Sequence, residues 1–147
     1  MQNIEKNLNR IHAQIEQAAI ACERDPDSIL LLAVSKKKPP GDIRAAYACG
    51  QKHFGENYLQ EAEEKMRELA DLDICWHFIG AIQSNKTRSI ARDFDWAHCI
   101  DRLKIARRLS EQRPAGMSPL NVCIQVNVDH EESKAGIELD EVGPLAQ

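Results

Sequence analysis

The apolar positions along the chain follow two alternating rhythms. From 2 to 22, Ile4, Leu8, Ile11, Ile15, Ala18, Ala19 and Cys22 recur every three or four residues, with charged and amide side chains between them. That is the period of an amphipathic helix, and Arg24-Asp25-Pro26-Asp27 ends it. Apolar runs too short for a buried helix then alternate with further helical stretches. The runs lie near 29–36, 52–57, 75–80, 96–100 and 120–128 and read as strands. The spacing predicts helices near 40–49, with Gly50 as its C-terminal cap, near 58–70, from an N-cap at Ser84-Asn85 to about 92, and from Leu103 towards Pro114. Ile137 to Ala146 reads as the start of another helix.

Strand starts recur about every 23 residues with a helix between each pair, which implies parallel strands joined by right-handed crossovers. No Gly-x-Gly-x-x-Gly fingerprint is present, so the pattern favours an α/β fold of the TIM-type (β/α) barrel class over a dinucleotide-binding sheet. Such a barrel has eight units and ~250 residues, and about five of the eight βα units fit here. A flavodoxin-like doubly wound sheet of five strands is the alternative fold. Residues 1–147 read as a single domain.

The stretch Leu30 to Pro40 carries the first chemistry. An apolar strand runs into Lys36-Lys37-Lys38 and stops at two prolines suited to a helix start. The lysines therefore stand at a strand's carboxyl end, where parallel α/β proteins build their sites. Alternation puts Leu30, Leu32, Val34 and Lys36 on one face. Lys36 continues an apolar row, where desolvation disfavours its charged form and leaves an amine able to attack a carbonyl. Three solvated loop charges are the plainer reading.

Composition narrows the class. A hydrophobic fraction of 43%, a charged fraction of 29% and a net charge of −4 suit a soluble globular protein with no general affinity for nucleic acid. The polar N-terminus shows no signal peptide, and no run approaches a membrane span. Five cysteines without a C-x-x-C pair fit reduced thiols in a cytoplasm.

Other strand ends are suggestive as a set. Glu56 and Asn57 follow Gly55, with a simple Asn helix cap as the alternative. Ser84-Asn85, Asp101-Arg102, the row Gln125, Asn127 and Asp129, and Ser133-Lys134-Ala135-Gly136 stand at later carboxyl ends. His53, His77 and His98 lie near strand starts with no metal-ligand spacing between them, so no metal site is expected.

Leu31-Leu32-Ala33-Val34-Ser35-Lys36, His53-Phe54-Gly55-Glu56-Asn57-Tyr58, Trp76-His77-Phe78-Ile79-Gly80, Gln83-Ser84-Asn85-Lys86 and Ser133-Lys134-Ala135-Gly136-Ile137, in that order, resemble the YggS-like pyridoxal 5′-phosphate (PLP) homeostasis proteins. The resemblance covers essentially the whole chain. It implies a barrel related to the alanine racemase N-terminal domain, with PLP held as a Schiff base on Lys36, Asn57 lining the cofactor pocket and Lys134 taking part in cofactor handling. It implies an intracellular role in vitamin B6 and amino-acid homeostasis without established turnover, and PLP-dependent apoenzymes as possible recipients. Two departures stand out. Ala81-Ile82 follow the Phe-Ile-Gly where the family commonly has proline, and the family's phosphate-binding strands lie beyond residue 147.

The resemblance thus describes the N-terminal portion of a barrel whose full-length form is a monomer. A part barrel has unpaired strand edges and is expected to self-associate. Two other readings remain. A racemase-like PLP enzyme needs a second acid/base group, for which only Tyr47 and Tyr58 are available as tyrosines. A remnant that retains no PLP is the third.

Overall fold

The computed structural model describes residues 2–147. Helix α1 (Gln2–Ala21) lays Ile4 and Leu8 against the core, as its apolar stripe predicts. Four βα units follow. They are β1 (Ala33–Val34) with α2 (Pro40–Ala48), β2 (His53–Glu56) with α3 (Leu59–Glu68), β3 (Cys75–Phe78) with α4 (Thr87–Asp93), and β4 (Trp96–Ile100) with α5 (Leu103–Gln112). Strand β5 (Asn121–Ile124) comes next, and a 3-10 turn (Leu139–Glu141) leads into α6 (Val142–Ala146). Pro40 opens α2, and Gly50, at φ +92°, closes it through the paired bonds Gly50 N–H to the Tyr47 carbonyl and Gln51 N–H to the Ala46 carbonyl.

All five strands are parallel and stand in the order β1-β2-β3-β4-β5. A flavodoxin-like sheet has the order 2-1-3-4-5, so the doubly wound alternative is set aside. With every crossover right-handed, sequential order puts the helices on one face, as in a (β/α) barrel wall.

The two faces have different chemistry. Phe54, Trp76, Phe78 and Ala97 point to the helices and meet Ile43, Ala46, Ala62, Ile90, Ile105 and Leu109, all buried. Phe78 packs edge-on against Phe94 with ring centres 5.3 Å apart. The opposite face is the inner one of a barrel. Its registers align Val34, Gly55, His77 and Trp96 in one row. Leu32 and Ile79 reach across Gly55, where a Cβ would stand 3.1 Å from Ile79 Cδ1 and 3.5 Å from Leu32 Cδ2.

Several expected elements are shorter than the sequence indicates. Strand β1 keeps only Ala33–Val34, because it is the sheet's edge and pairs with β2 alone. The fifth strand ends at Ile124 rather than 128. The loop after it folds back, and Ile137 takes the backbone bonds of Gln125 and Asn127. That pairing also removes Ile137 from the expected last helix. The Ser84-Asn85 cap is displaced: α4 starts at Thr87, whose hydroxyl donates to the Ser84 carbonyl.

The three strand histidines meet in space. His53 Nδ1 lies 3.0 Å from His77 Nε2, and His77 Nδ1 lies 3.0 Å from His98 Nε2. The three climb diagonally across β2, β3 and β4, because His53 is in register with Cys75 and His77 with Trp96. Only His53 begins its strand; His77 and His98 sit mid-strand. Trp96 stacks on the His77 ring at 5.4 Å and 6°. Burial first, then the neighbouring His98 and His53, pushes His77 down to about 4.

His77 is therefore neutral in the folded chain, whereas an unfolded histidine charges near 6.5. Its contribution to stability is complete above about pH 6.5 and is lost as pH falls towards 4. Thermal unfolding followed by circular dichroism is expected to show a midpoint falling through this window, with a shallower fall in His77→Gln. Equal slopes for the two proteins would show that His77 does not titrate with folding.

Candidate functional site

The carboxyl ends of β1 and β2 are tied together by a buried ion cluster on the helix side. Lys65, from α3, is 4% exposed, and Glu56, at the end of β2, is fully buried. Lys65 Nζ donates to Glu56 Oε1 at 2.7 Å, to Glu61 Oε1 at 2.6 Å and to the Ser35 carbonyl at 2.8 Å. An ammonium has three N–H donors, and each has its acceptor. Ser35, itself buried, donates its hydroxyl to Glu56 Oε1 at 2.6 Å. Glu61 Oε1 also accepts the Lys37 backbone N–H at 2.6 Å. The Lys65 bond, first, and the Lys37 amide hold the Glu61 carboxyl below its usual range.

These bonds fix the turn that carries Lys36. The Lys38 N–H closes the turn on the Ser35 carbonyl at 3.0 Å, and Lys37 adopts φ +59°, an uncommon conformation for a side-chain-bearing residue. Both chain neighbours of Lys36 are bonded to one ion cluster. The Lys36 side chain is exposed and, among the described residues, has no hydrogen-bond or ion-pair partner. The expected desolvation of Lys36 is not found. The row it continues lies on the inner face, which is open at this edge, and Val34 in that row is 52% exposed.

Two residues beyond the Val34–Gly55 pair come Lys36 and Asn57. Asn57 is not a helix cap: α3 starts from Tyr58 without a side-chain cap. Its Oδ1 is buried with no hydrogen-bond partner, the kind of orphaned acceptor that calls for an explanation. The backbone of Asn57 presses on Gly80, where a Cβ would lie 2.6 Å from the Asn57 carbonyl oxygen. The end of β2 is thus seated tightly against the chain leaving β3.

The other expected residues are not gathered here. Lys134 is exposed in the loop after β5, and β2, β3 and β4 lie between β5 and β1 in the sheet. Asn127 and Gln125 bind that loop itself: Asn127 pairs with the Glu131 backbone, and Gln125 donates to the Ala135 carbonyl. Arg102 makes a 3.8 Å ion pair with Asp101 and donates to the Ile82 carbonyl. Lys65 and Glu61 belong to no strand-end motif of the sequence. Lys65 shares the buried row of α3 with Ala62 and Leu69, and a lysine in that row was the available signal.

The alanine racemase N-terminal domain model matches residues 1–147. The chain is 58% identical over 147 residues to the pyridoxal phosphate homeostasis protein of Pseudomonas aeruginosa, covering all of this chain and 64% of that protein. It is 51% identical over 149 residues to the protein of the same name in Escherichia coli, covering 99% of this chain and 64% of that one. Among solved structures, PipY of Synechococcus elongatus, known with and without PLP bound, superposes with a TM-score of 0.74 at 42% identity. The superposition covers 90% of this chain and 64% of PipY. The chain thus spans about 64% of the length of the relatives it matches.

Removing one partner of a buried ion pair leaves an uncompensated charge and costs roughly 3–5 kcal/mol. Lys65→Met is expected to lose about that much stability in urea unfolding. The double variant Glu56→Gln/Lys65→Met, which strands only the part-exposed Glu61 carboxylate and no fully buried charge, is expected to regain part of it. A loss under about 1 kcal/mol for Lys65→Met would place the pair in the range of solvent-screened surface pairs.

Proposed function

The chain belongs to the alanine racemase N-terminal domain family, and from that premise we propose that it binds PLP through a Schiff base on Lys36 and serves intracellular PLP and amino-acid homeostasis. The observation that carries the reading is the pairing of an unpartnered primary amine, on a turn fixed on both sides, with the orphaned buried Asn57 Oδ1, each two residues beyond the Val34–Gly55 pair. The relatives' names and the PLP bound to PipY support the same ligand. When bound, PLP supplies an aldehyde that condenses reversibly with a primary amine.

In this reading the chain's own groups divide the work. Lys36 provides the amine, and the Ser35 and Lys37 backbone fixes where it starts. Asn57 offers an acceptor that no protein group has claimed. Lys134 joins only in handling the cofactor, from a separate loop. A carrier or regulator fits better than a racemase. Tyr47 packs against the core from α2, and Tyr58 is an exposed residue at the start of α3. Delivery of PLP to apoenzymes, a cytoplasmic location and self-association through open strand edges belong to the same proposal. Among the described residues no helix is long and apolar enough to cross a membrane.

Titration with PLP, followed by absorbance at the Schiff-base band and mass spectrometry after borohydride reduction, tests the reading. One adduct per chain on Lys36 is expected, absent in Lys36→Ala. Asn57→Ala is expected to bind about tenfold more weakly, the effect of one buried hydrogen bond. No adduct, or one spread over Lys37, Lys38 and Lys86, would leave the non-retaining remnant as the better description.

A further inference from the structure

The inner face of the sheet holds a second constellation that PLP binding does not use. Cys75 and His77 stand two apart on β3 and project to the same side, and His53 is the register partner of Cys75 on β2. The donor atoms of His53, Cys75 and His77 all lie within 4.8 Å of one another. His77 Nε2 is 3.0 Å from His53 Nδ1 and 3.6 Å from Cys75 Sγ. A tetrahedral ion with bonds of about 2.0–2.1 Å to nitrogen and 2.3 Å to sulfur has N···N and N···S edges of about 3.3 and 3.6 Å. The two spacings to His77 Nε2 therefore lie within a few tenths of an ångström of those edges, and the third, between His53 and Cys75, is within 4.8 Å.

We propose that His53, Cys75 and His77 form a binding site for a zinc-like transition-metal ion, with His98 as the residue that orients His77. Two imidazoles and one thiolate suit Zn2+ or Co2+ and are a poor match for Mg2+ or Ca2+. The outer contacts have the arrangement metal ligands need. His77 Nδ1 lies 3.0 Å from His98 Nε2, and the tautomer that donates Nδ1–H across that contact turns the His77 Nε2 lone pair toward His53 and Cys75. Burial keeps His77 neutral and so able to ligate. His53 and Cys75 are only half-buried, which leaves a path for the ion.

On binding, the Sγ–H bond of Cys75 breaks and its proton leaves to solvent, while His53 moves its ring proton from Nδ1 to Nε2. One metal–sulfur and two metal–nitrogen bonds form, and the fourth position takes water. Burial, then the nearby Asp95 carboxylate, pushes the free Cys75 thiol up to about 11, so the ion must displace a firmly held proton. Without the ion the same atoms make the His53–His77 hydrogen bond.

Chelator-stripped, reduced protein titrated with Co2+ tests the site. One equivalent is expected to bring up ligand-field bands together with a thiolate-to-cobalt band, and Zn2+ is expected to displace both and to block alkylation of Cys75. Cys75→Ser is expected to lose the thiolate band, and His53→Ala and His77→Ala to bind at least tenfold more weakly. His98→Ala is expected to weaken binding about tenfold while keeping the thiolate band, the behaviour of an orienting residue. Cys22→Ser/Cys49→Ser, which removes two exposed thiols that are not members of the cluster, is expected to change nothing. A thiolate band that survives Cys75→Ser, or none at one equivalent, overturns the proposal. Should a variant fail to fold, the wild-type chain decides: Cys75 alkylated at the same rate with and without Zn2+ also overturns it.

Discussion

A lysine ammonium held out of water governs the site. Lys65 is carried by α3, yet its three donors go to β1, β2 and its own helix. Burying such a charge is costly unless every donor is met and an opposite charge lies close, and both conditions hold. The consequence is geometric more than energetic. A single nitrogen fixes the separation of the ends of two strands and the path of the turn between β1 and α2. The side chain of Ser35 and the amide of Lys37 bond to the same carboxylates, so Lys36 leaves from a backbone with little freedom. Preorganisation of this kind is what the proposed covalent role of Lys36 requires of its scaffold.

The sequence revealed more of the architecture than of the site. Residues 96–100 were readable as a strand because Trp96 to Ile100 is an apolar run between turn signals, and β4 occupies it. The alternation that groups Leu32, Val34 and Lys36 also holds, since Val34 is in register with the inner-facing Gly55. Alternation says which residues share a face and not whether anything covers it. Lys36 was expected to be desolvated and is exposed, because the inner face beside β1 is open. Gln125 and Asn127 show the same limit. A polar row suggested a ligand, and the row is satisfied by its own loop.

The ion cluster and the histidine ladder were illegible for a different reason. Each is assembled from separate elements by strand register. Ser35 and Lys65 are thirty positions apart, and His53, Cys75 and His98 meet around His77 only because three parallel strands are staggered as they are. Local spacing rules for metal ligands detect motifs on one helix or loop and pass over ligands shared between neighbouring strands. Asn57 lies between these cases. Its position at a strand end was readable, but the choice between helix cap and ligand group required seeing where α3 begins and that its oxygen is left without a partner.

The two faces of the sheet answer different demands with the same residue types. On the helix side a buried charge is neutralised by opposite charge, which fixes backbone and leaves no donor of Lys65 free. On the inner side three imidazoles are linked in a chain of ring-nitrogen contacts, with His77 at its centre. An ionic cluster in which all three lysine donors are taken suits support, because the ammonium can bind nothing further without breaking it. A chain of imidazoles beside a thiol suits ligation, because one ion can replace a single hydrogen bond and take three ligand atoms at once. Lys36 and Asn57 follow one step beyond the inner-face row of His77, on strands whose ends the ionic cluster holds. Rigid support behind the sheet and unclaimed polar atoms in front of it are thus parts of a single arrangement, set by the alternation of side chains along β1, β2 and β3.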